Sequence, residues 1–282
     1  MPATPIFVLG RHRSGTTWLS NVIAAFPDVY TPMHEVHRGI HESAYFSHLV
    51  PYCNAGRTQT DLLAIKHLFE RSDYFLLTGL SEGPDIVEHG YADYFRLVMD
   101  AAANGHGAKY WLEKTPAHTL LARFLSTSFP GAILIAIVRD PREVVASNVH
   151  GFANPRSIRT WFRQAAVTAI YEKIIAQNNV LVIRYEDFRD RHDATVRALA
   201  QRLALSETGA RQNIYAPNTS YREHVPRLKW WQHAAIGCGL LAVRIWPGRW
   251  VERAVIRWHA RKSANLPKWF FVLGSGATTV DP

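Results

Sequence analysis

Continuous apolar runs alternate along the chain with stretches whose apolar residues recur at helical spacing. The runs lie at residues 6–9, 132–138 and 180–185, and such runs are typical of parallel strands that are covered on both faces. Between the second and third runs, residues 142–149 and 158–177 show helical patterns. This β-α-β order predicts an α/β protein with three α/β/α layers around a central parallel sheet.

The loop after the first run carries the strongest functional signal. It spans residues 10–18 (GRHRSGTTW) and precedes a helical stretch, so its glycines and the N–H groups at the helix start would face an anion. The glycines and Thr17 have Walker A spacing, but Thr16 stands where that motif has lysine, and the cation is Arg13 inside the loop. This pattern predicts a phosphate site that is poorly built to transfer a γ-phosphoryl group.

A second basic motif follows the second apolar run. Arg139 lies where a parallel strand should end, at the edge of the sheet where such folds bind nucleotides, and Ser147 follows eight residues later. The planar arginine fork matches a phosphate, and the serine adds a hydroxyl donor. Two other interpretations stay open, namely a surface pair of Arg139 with Asp140 and a Walker B-like role for Asp140.

Together the two motifs resemble those of the sulfotransferases that use 3′-phosphoadenosine 5′-phosphosulfate (PAPS). In that family, a loop of the form [KR]-[ST]-G-T-T binds the 5′-phosphosulfate, and an arginine with a serine eight residues later binds the 3′-phosphate. The resemblance covers residues 5–188 and implies the P-loop nucleotide-hydrolase-like sulfotransferase fold. It also implies an enzyme that transfers a sulfuryl group from PAPS, as co-substrate, to an acceptor hydroxyl without a metal, with an amine acceptor as the alternative.

The resemblance implies a set of donor-binding residues. Trp18 would stack on adenine, as a tryptophan does in the cytosolic branch, and Tyr185 would lie beside the nucleotide. Arginine in the first loop is more like the tyrosylprotein sulfotransferases and many bacterial members. The Arg-Lys-Gly clamp of the cytosolic branch is absent, and residues 218–222 are the nearest candidate. The full set is Arg13, Ser14, Gly15, Thr16, Thr17, Trp18, Arg139, Ser147 and Tyr185.

Three residues are candidates for the chemistry itself. Glu35 follows a Pro-Asp-Val turn, as does the base of the tyrosylprotein sulfotransferases, and would deprotonate the acceptor hydroxyl. His34 and His37 are its substitutes. Lys114, in WLEKTP, resembles a lysine that those enzymes aim at the transferring group, and with Arg13 it would stabilise charge during an in-line displacement.

Three histidines raise the alternative of a zinc site. His34, His37 and His41 have helical spacing, but their order does not fit H-E-x-x-H, and isolated histidines usually satisfy local hydrogen bonds. No metal site is therefore predicted.

The net charge of +9 is concentrated at the C-terminal end, where residues 221–282 contribute +7. Tryptophans and arginines recur there at helical spacing, which is typical of a helix that lies on an anionic membrane. The alternatives are a helix docked on the core with solvated arginines, or a face for a sulfated or carboxylated glycan. We expect a sulfotransferase domain over residues 1–231 and a basic extension over residues 232–282.

Few cysteines and an early first strand favour a cytoplasmic protein, peripheral on the membrane through its extension. The expected acceptor is a glycan, a lipid-linked molecule or a small molecule, and residues 34–107 are expected to form its binding region. No nucleic acid is expected as a partner. Two rival functions stay open. One is a P-loop kinase-like phosphotransferase, and the other is a non-catalytic protein that binds membranes or polyanions through the tail.

Overall fold

The structure is a computed structural model that describes residues 2–37, 39–206, 228–245, 253 and 265–273. Its strands, in chain order, are β1 (Thr4–Leu9), β2 (Val29–Tyr30), β3 (Met33–His34), β4 (Gly39–Ile40), β5 (Tyr110–Glu113), β6 (Ile133–Val138) and β7 (Leu181–Arg184). Five of them form a parallel sheet in the order β2-β5-β1-β6-β7, while β3 and β4 form a separate antiparallel pair.

Helices cover both faces of this sheet. They are α1 (Thr16–Ala24), α2 (Val50–Tyr52), α3 (Gln59–Glu70), α4 (Asp73–Leu76), α5 (Ile86–Gly105), α6 (Ala122–Ser128), α7 (Pro141–Phe152), α8 (Ile158–Gln177), α9 (Tyr185–Asp190), α10 (His192–Arg202) and α11 (Trp230–Ile245). Short 3₁₀ turns lie at Glu35–His37, Asn54–Gly56, Pro116–Leu121 and Lys268–Phe271, and a π-helical turn lies at Tyr45–Leu49.

Alternate residues of the central strand enter two separate cores. Ile6 and Val8 pack in a cluster with α1 and α10, whereas Phe7 and Leu9 pack in a larger cluster with α5 and α8. A strand buried on both faces reads as a continuous apolar run, which is why β1 and β6 were predictable. The predicted α/β fold with three layers and a central parallel sheet is confirmed.

Two strands of the sheet were not predicted. β2 has only two residues, and β5 has four, the last of which is the charged Glu113. Neither gives a run long enough to be distinguished from a loop. β5 pairs with β1 along residues 110–113, and its last residue, Glu113, lies opposite Phe7, three residues before the phosphate loop begins. This placement brings Lys114, the residue after β5, to the candidate site.

Two described segments of the C-terminal region, α11 and residues 265–273, pack on the core. α11 packs along α8, and Ala235 and Ile236 join Trp161 in a third apolar cluster. Further on, the N–H groups of Val272 and Leu273 donate to the Asp73 carboxylate at 3.1 and 2.9 Å. The predicted boundary at residue 231 stays a prediction.

Most of the basic tail, including its tryptophans at 246, 250 and 258, lies outside the described residues, as does the proposed clamp at residues 218–222. No described helix combines the length and the apolar character that crossing a bilayer requires. The predicted membrane contact therefore stays a prediction.

Candidate functional site

The backbone of the phosphate loop is left-handed at Gly15, just before α1, and this conformation favours glycine. Gly15 has φ +100°, and a Cβ on this residue would come within 2.7 Å of the Tyr185 ring. Arg13 also has a left-handed backbone, with φ +73°. Left-handed backbone in a residue other than glycine is concentrated at functional sites. The sequence is thus folded here into a tight loop that leads directly into α1.

Hydrogen bonds fix the carbonyl groups of the loop. The Ser14 hydroxyl donates to the Arg11 carbonyl at 2.6 Å, and the Asn148 amide donates to the His12 carbonyl at 2.8 Å. Because a trans peptide directs its C=O and N–H to opposite sides, these bonds turn the N–H groups of His12 and Arg13 away from those donors. Together with the free N–H groups at the start of α1, they make the loop suited to an anion.

Lys114 lies against this loop. Its Nζ donates to the Thr17 hydroxyl at 3.3 Å and to Glu42 Oε1 at 2.6 Å, and the side chain is only 2 % exposed. Burial opposes the ionisation of Glu42, but the charges of Lys114 and His12 outweigh it, so the pKa of Glu42 lies below its ordinary value. The structure thus places a cation and an ionised carboxylate beside Thr17.

Glu42 has no motif that marks it in the sequence, where Glu35 is the predicted base. Glu35 is exposed in the 3₁₀ turn after β3, and no described residue forms a hydrogen bond or ion pair with its side chain. Glu42 lies 72 residues from Lys114 along the chain, so only the fold reveals their contact. The role of Glu35 as base stays a prediction, and Glu42 is the carboxylate that the structure brings to Lys114.

Arg139 lies at the end of β6, beside the same loop. Its NH1 donates to the Arg13 carbonyl at 3.5 Å, and its guanidinium lies 4.5 Å from the centre of the Tyr185 ring. Nε and NH2 donate to Glu143 on α7. Ser147 follows Glu143 by four residues and so lies one turn further along the same side of the helix. The predicted second phosphate site is thereby adjacent to the first.

Asp140 does not pair with Arg139. Its carboxylate accepts from the Arg142 N–H at 2.7 Å and caps the start of α7, and its own N–H donates to Glu186 at 2.9 Å. The proposed surface pair of Arg139 with Asp140 is therefore not formed. This capping contact is a structural reason for an aspartate before Pro141, and it requires no Walker B-like role for Asp140.

Trp18 lies in an aromatic cluster beneath the loop. Its ring is parallel to that of His192 at 5.3 Å, and it also contacts Phe188 at 4.2 Å and Tyr185 at 5.8 Å, all measured between ring centres. Only 7 % of Trp18 is exposed. These contacts give it a packing role, while stacking on adenine stays a prediction.

Two of the three candidate histidines stack on each other beside the buried Asp73. His37 and His41 lie 3.7 Å apart between ring centres with planes 21° apart, and His37 Nε2 lies 3.3 Å from Asp73. Burial lowers the pKa of His37, and it lowers the pKa of His41 to about 2. The ligand atoms of His37, His41 and Asp73 all lie within 4.8 Å of one another, so among the described residues these three, without His34, could hold a metal ion, and the predicted absence of a metal stays a prediction. His34 Nδ1 instead accepts from the Val36 N–H at 3.2 Å.

Comparison with models of protein families decides the family. The model described as the sulfotransferase family matches residues 5–208, which is well over half of the chain. The chain belongs to the sulfotransferase family. The match runs from β1 through α10 and includes the loop, Lys114, Arg139 and Tyr185. The family resemblance inferred from the two motifs is therefore confirmed.

Several solved structures are similar to this sulfotransferase. The sulfotransferase domain from the Synechococcus PCC 7002 olefin synthase has 16% identity, covers 94% of this chain and 96% of its own, and has a TM-score of 0.48. Sulfotransferase STF9 from Mycobacterium avium has 13% identity, coverage of 88% and 78%, and a TM-score of 0.49. The sulfotransferase from Alicyclobacillus acidocaldarius has 15% identity, coverage of 95% and 99%, and a TM-score of 0.47. No curated protein matched the chain significantly.

Proposed function

We propose that this sulfotransferase transfers a sulfuryl group from PAPS to an acceptor hydroxyl. The observation that supports the proposal is the contact of Arg139 with the Arg13 carbonyl, which brings the two predicted phosphate sites together at the carboxyl ends of the neighbouring strands β1 and β6. Adenosine with phosphates at both 3′ and 5′ positions needs two such sites, whereas a simple nucleoside phosphate needs one. Ligands bind at this edge in open parallel sheets.

The donor would be held by groups from both sites. Thr16, Thr17 and the N–H groups of the loop bind the 5′-phosphate, and Arg139 with Ser147 binds the 3′-phosphate. Ser14 and Gly15 shape the loop, Tyr185 stacks on Arg139, and Trp18 supports the adenine side. The chemistry proposed here requires no metal.

The reaction would be an in-line displacement at sulfur. The acceptor oxygen loses its proton to a carboxylate and forms a bond to sulfur, while the bond from sulfur to the 5′-phosphate oxygen breaks and 3′,5′-adenosine bisphosphate leaves with the electron pair. Lys114 and Arg13 stabilise the negative charge on the leaving oxygen and on the sulfuryl group. Donor binding gives Lys114 a second anionic partner besides Glu42.

Two carboxylates are candidates for the base. Geometry favours Glu42, because its carboxylate lies 2.6 Å from Lys114 Nζ. Its lowered pKa also keeps it ionised and able to accept a proton. Glu35 is favoured by the resemblance to the tyrosylprotein sulfotransferases. Of the two histidine substitutes, His37 contacts Asp73, and His34 accepts a hydrogen bond from the Val36 N–H.

The acceptor is proposed only by class, as a glycan, a lipid-linked molecule or a small alcohol or phenol. A cytoplasmic enzyme with peripheral contact to the membrane would suit a lipid-linked acceptor. The decisive assay supplies labelled PAPS with a panel of glycans, glycolipids and phenols, and we expect label in at least one class of hydroxyl acceptor. Magnesium-dependent ATP turnover without any sulfuryl transfer would instead support the phosphotransferase alternative.

A further inference from the structure

A buried acid and base lie directly behind the Lys114–Glu42 pair. Glu113, the last residue of β5, and His118, in the 3₁₀ turn after it, are both 0 % exposed, and His118 Nδ1 lies 2.8 Å from Glu113 Oε2. Burial alone would raise the pKa of Glu113, but His118 and the hydroxyl groups bound to the carboxylate lower it below its ordinary value. The carboxylate is therefore ionised and acts only as an acceptor.

The other oxygen of Glu113 joins two segments of the chain. It accepts from the Ser43 hydroxyl at 2.7 Å, from the Thr115 hydroxyl at 2.6 Å and, at 3.4 Å, from the Ser43 N–H. Ser43 is the residue after Glu42, and Thr115 is the residue after Lys114. The Glu113 carboxylate thus binds the residue that follows Glu42 and the residue that follows Lys114.

The two segments are further fixed by the backbone. Ala44 has a left-handed conformation with φ +49°, and its N–H donates to the Thr115 hydroxyl at 3.1 Å. A non-glycine residue keeps such a conformation only when its surroundings enforce it. The Thr115 hydroxyl therefore accepts from one segment and donates to the carboxylate that binds both.

The same 3₁₀ turn reaches the phosphate loop. Thr119, the residue after His118, accepts from the Gly10 N–H at 2.8 Å and donates to the Gly10 carbonyl at 3.2 Å. Glu113 is therefore linked through His118 and its neighbour Thr119 to Gly10, the first residue of the loop. Through Ser43 and Thr115 it is also linked to the Lys114–Glu42 pair. The side chains that form this network are all buried, so solvent does not compete for their hydrogen bonds; they are Glu113, His118, Ser43, Thr115 and Thr119.

We propose that Glu113 is a positioning residue that sets the placement of Lys114 relative to Glu42 and to the phosphate loop. The expected effect on turnover rests on the proposed function, whereas the expected effect on the placement of Lys114 does not. Glu113 does not touch the reacting groups. It acts through the two residues that follow Lys114 and Glu42, so its loss should change turnover more than donor binding.

Glu113→Gln is the informative variant because it keeps the shape of the side chain. The amide oxygen can still accept from the hydroxyl groups, but the charge is lost and the amide nitrogen must face His118. We expect kcat to fall about tenfold while KM for PAPS changes less than about twofold, because the removed group contributes to orientation. Asp100→Asn is the matched control, since it removes another buried carboxylate, one that holds the Trp111 ring nitrogen of β5 at 2.9 Å.

A double-mutant cycle separates positioning from general destabilisation. If Ser43→Ala and Thr115→Val act through the same carboxylate, the double variant should lose about as much kcat as the worse single variant, instead of the product of both losses. Unfolding by urea reports stability for every variant. Additive losses, or a Glu113→Gln enzyme with wild-type kcat per folded molecule, would overturn the proposal.

A crystal structure of the Glu113→Gln variant without ligand gives a test that needs no activity. The proposal expects the contact between Lys114 Nζ and Glu42 to lengthen or break, and a pair that keeps its 2.6 Å separation contradicts it. A wild-type protein that shows no sulfuryl transfer would count against the proposed function alone, because this structural comparison would still decide the role of Glu113.

Discussion

Arg139 donates through both Nε and NH2 to one carboxylate oxygen of Glu143, at 2.8 and 2.5 Å. Glu143 lies in the first turn of α7, and the side chains of Arg139 and Glu143 are 21% and 44% exposed. The arginine that we propose for the 3′-phosphate is therefore engaged by an internal anion at the surface. A phosphate that binds Arg139 must compete with this carboxylate.

Replacing Glu143 by glutamine should therefore strengthen nucleotide binding. A partly exposed ion pair contributes about 0.2–1 kcal/mol, so we expect affinity for 3′,5′-adenosine bisphosphate to rise up to about fivefold. Isothermal titration of wild type and variant measures the change. Weaker binding would mean that Glu143 holds Arg139 in its binding position, contrary to competition.

Lys114→Ala should reduce turnover severely. Loss of one donor that stabilises transition-state charge costs about 10²–10³ in kcat, and Lys114→Arg should recover part of it by restoring the charge. Lys109→Ala is the matched control, because Lys109 lies just before β5, is 66 % exposed and pairs only with Asp28 among the described residues. Steady-state kinetics measure kcat for both alanine variants. Equal losses of kcat in Lys114→Ala and Lys109→Ala would argue against a direct role for Lys114.

Glu42→Gln and Glu35→Gln distinguish the two candidate bases. If Glu42 accepts the proton, its glutamine variant should lose about 10²–10⁴ in kcat, while Glu35→Gln stays close to wild type. The opposite ranking would restore Glu35 as the base. Since the base works only when ionised and the pKa of Glu42 is lowered, activity should fall only below the ordinary titration range of glutamate as the pH decreases. The pH profile of kcat/KM provides that second measurement.

The basic extension should bind anionic membranes if its arginines face a bilayer. Flotation of the full chain with vesicles of phosphatidylcholine alone, or with phosphatidylglycerol added, tests this proposal, and we expect binding only to the anionic vesicles and its loss at high salt. Flotation with both kinds of vesicle, or with neither, would contradict it. A variant with glutamine at Arg249, Arg257 and Arg261 should lose the flotation and keep its affinity for nucleotide.

The sequence predicted those parts of the fold and site that depend on local pattern. β1 and β6 are continuous apolar runs because they are covered on both faces, and the loop between β1 and α1 has a spacing that needs no partner to be recognised. Arg139 was found because it follows such a strand directly. The family assignment from these two motifs was correct.

Contacts between distant segments were beyond sequence reasoning. Glu42 reaches Lys114 only because β5 places residue 114 beside the loop, and β5 itself is too short and too polar at its end to be predicted. Glu143 was not expected to engage Arg139, because Asp140 was the nearer partner in sequence but caps α7 instead. The bonds of Glu113 to Ser43 likewise span 70 residues.

In the proposed function, one site binds both phosphates of the donor nucleotide. Isothermal titrations of wild type and Arg139→Ala with 3′,5′-adenosine bisphosphate and with AMP test this binding mode. We predict that wild type binds the bisphosphate at least about tenfold more tightly than AMP, because Arg139 adds charge-assisted bonds to the 3′-phosphate, and that Arg139→Ala removes this preference. Equal affinity of the wild-type protein for the two nucleotides would contradict the account.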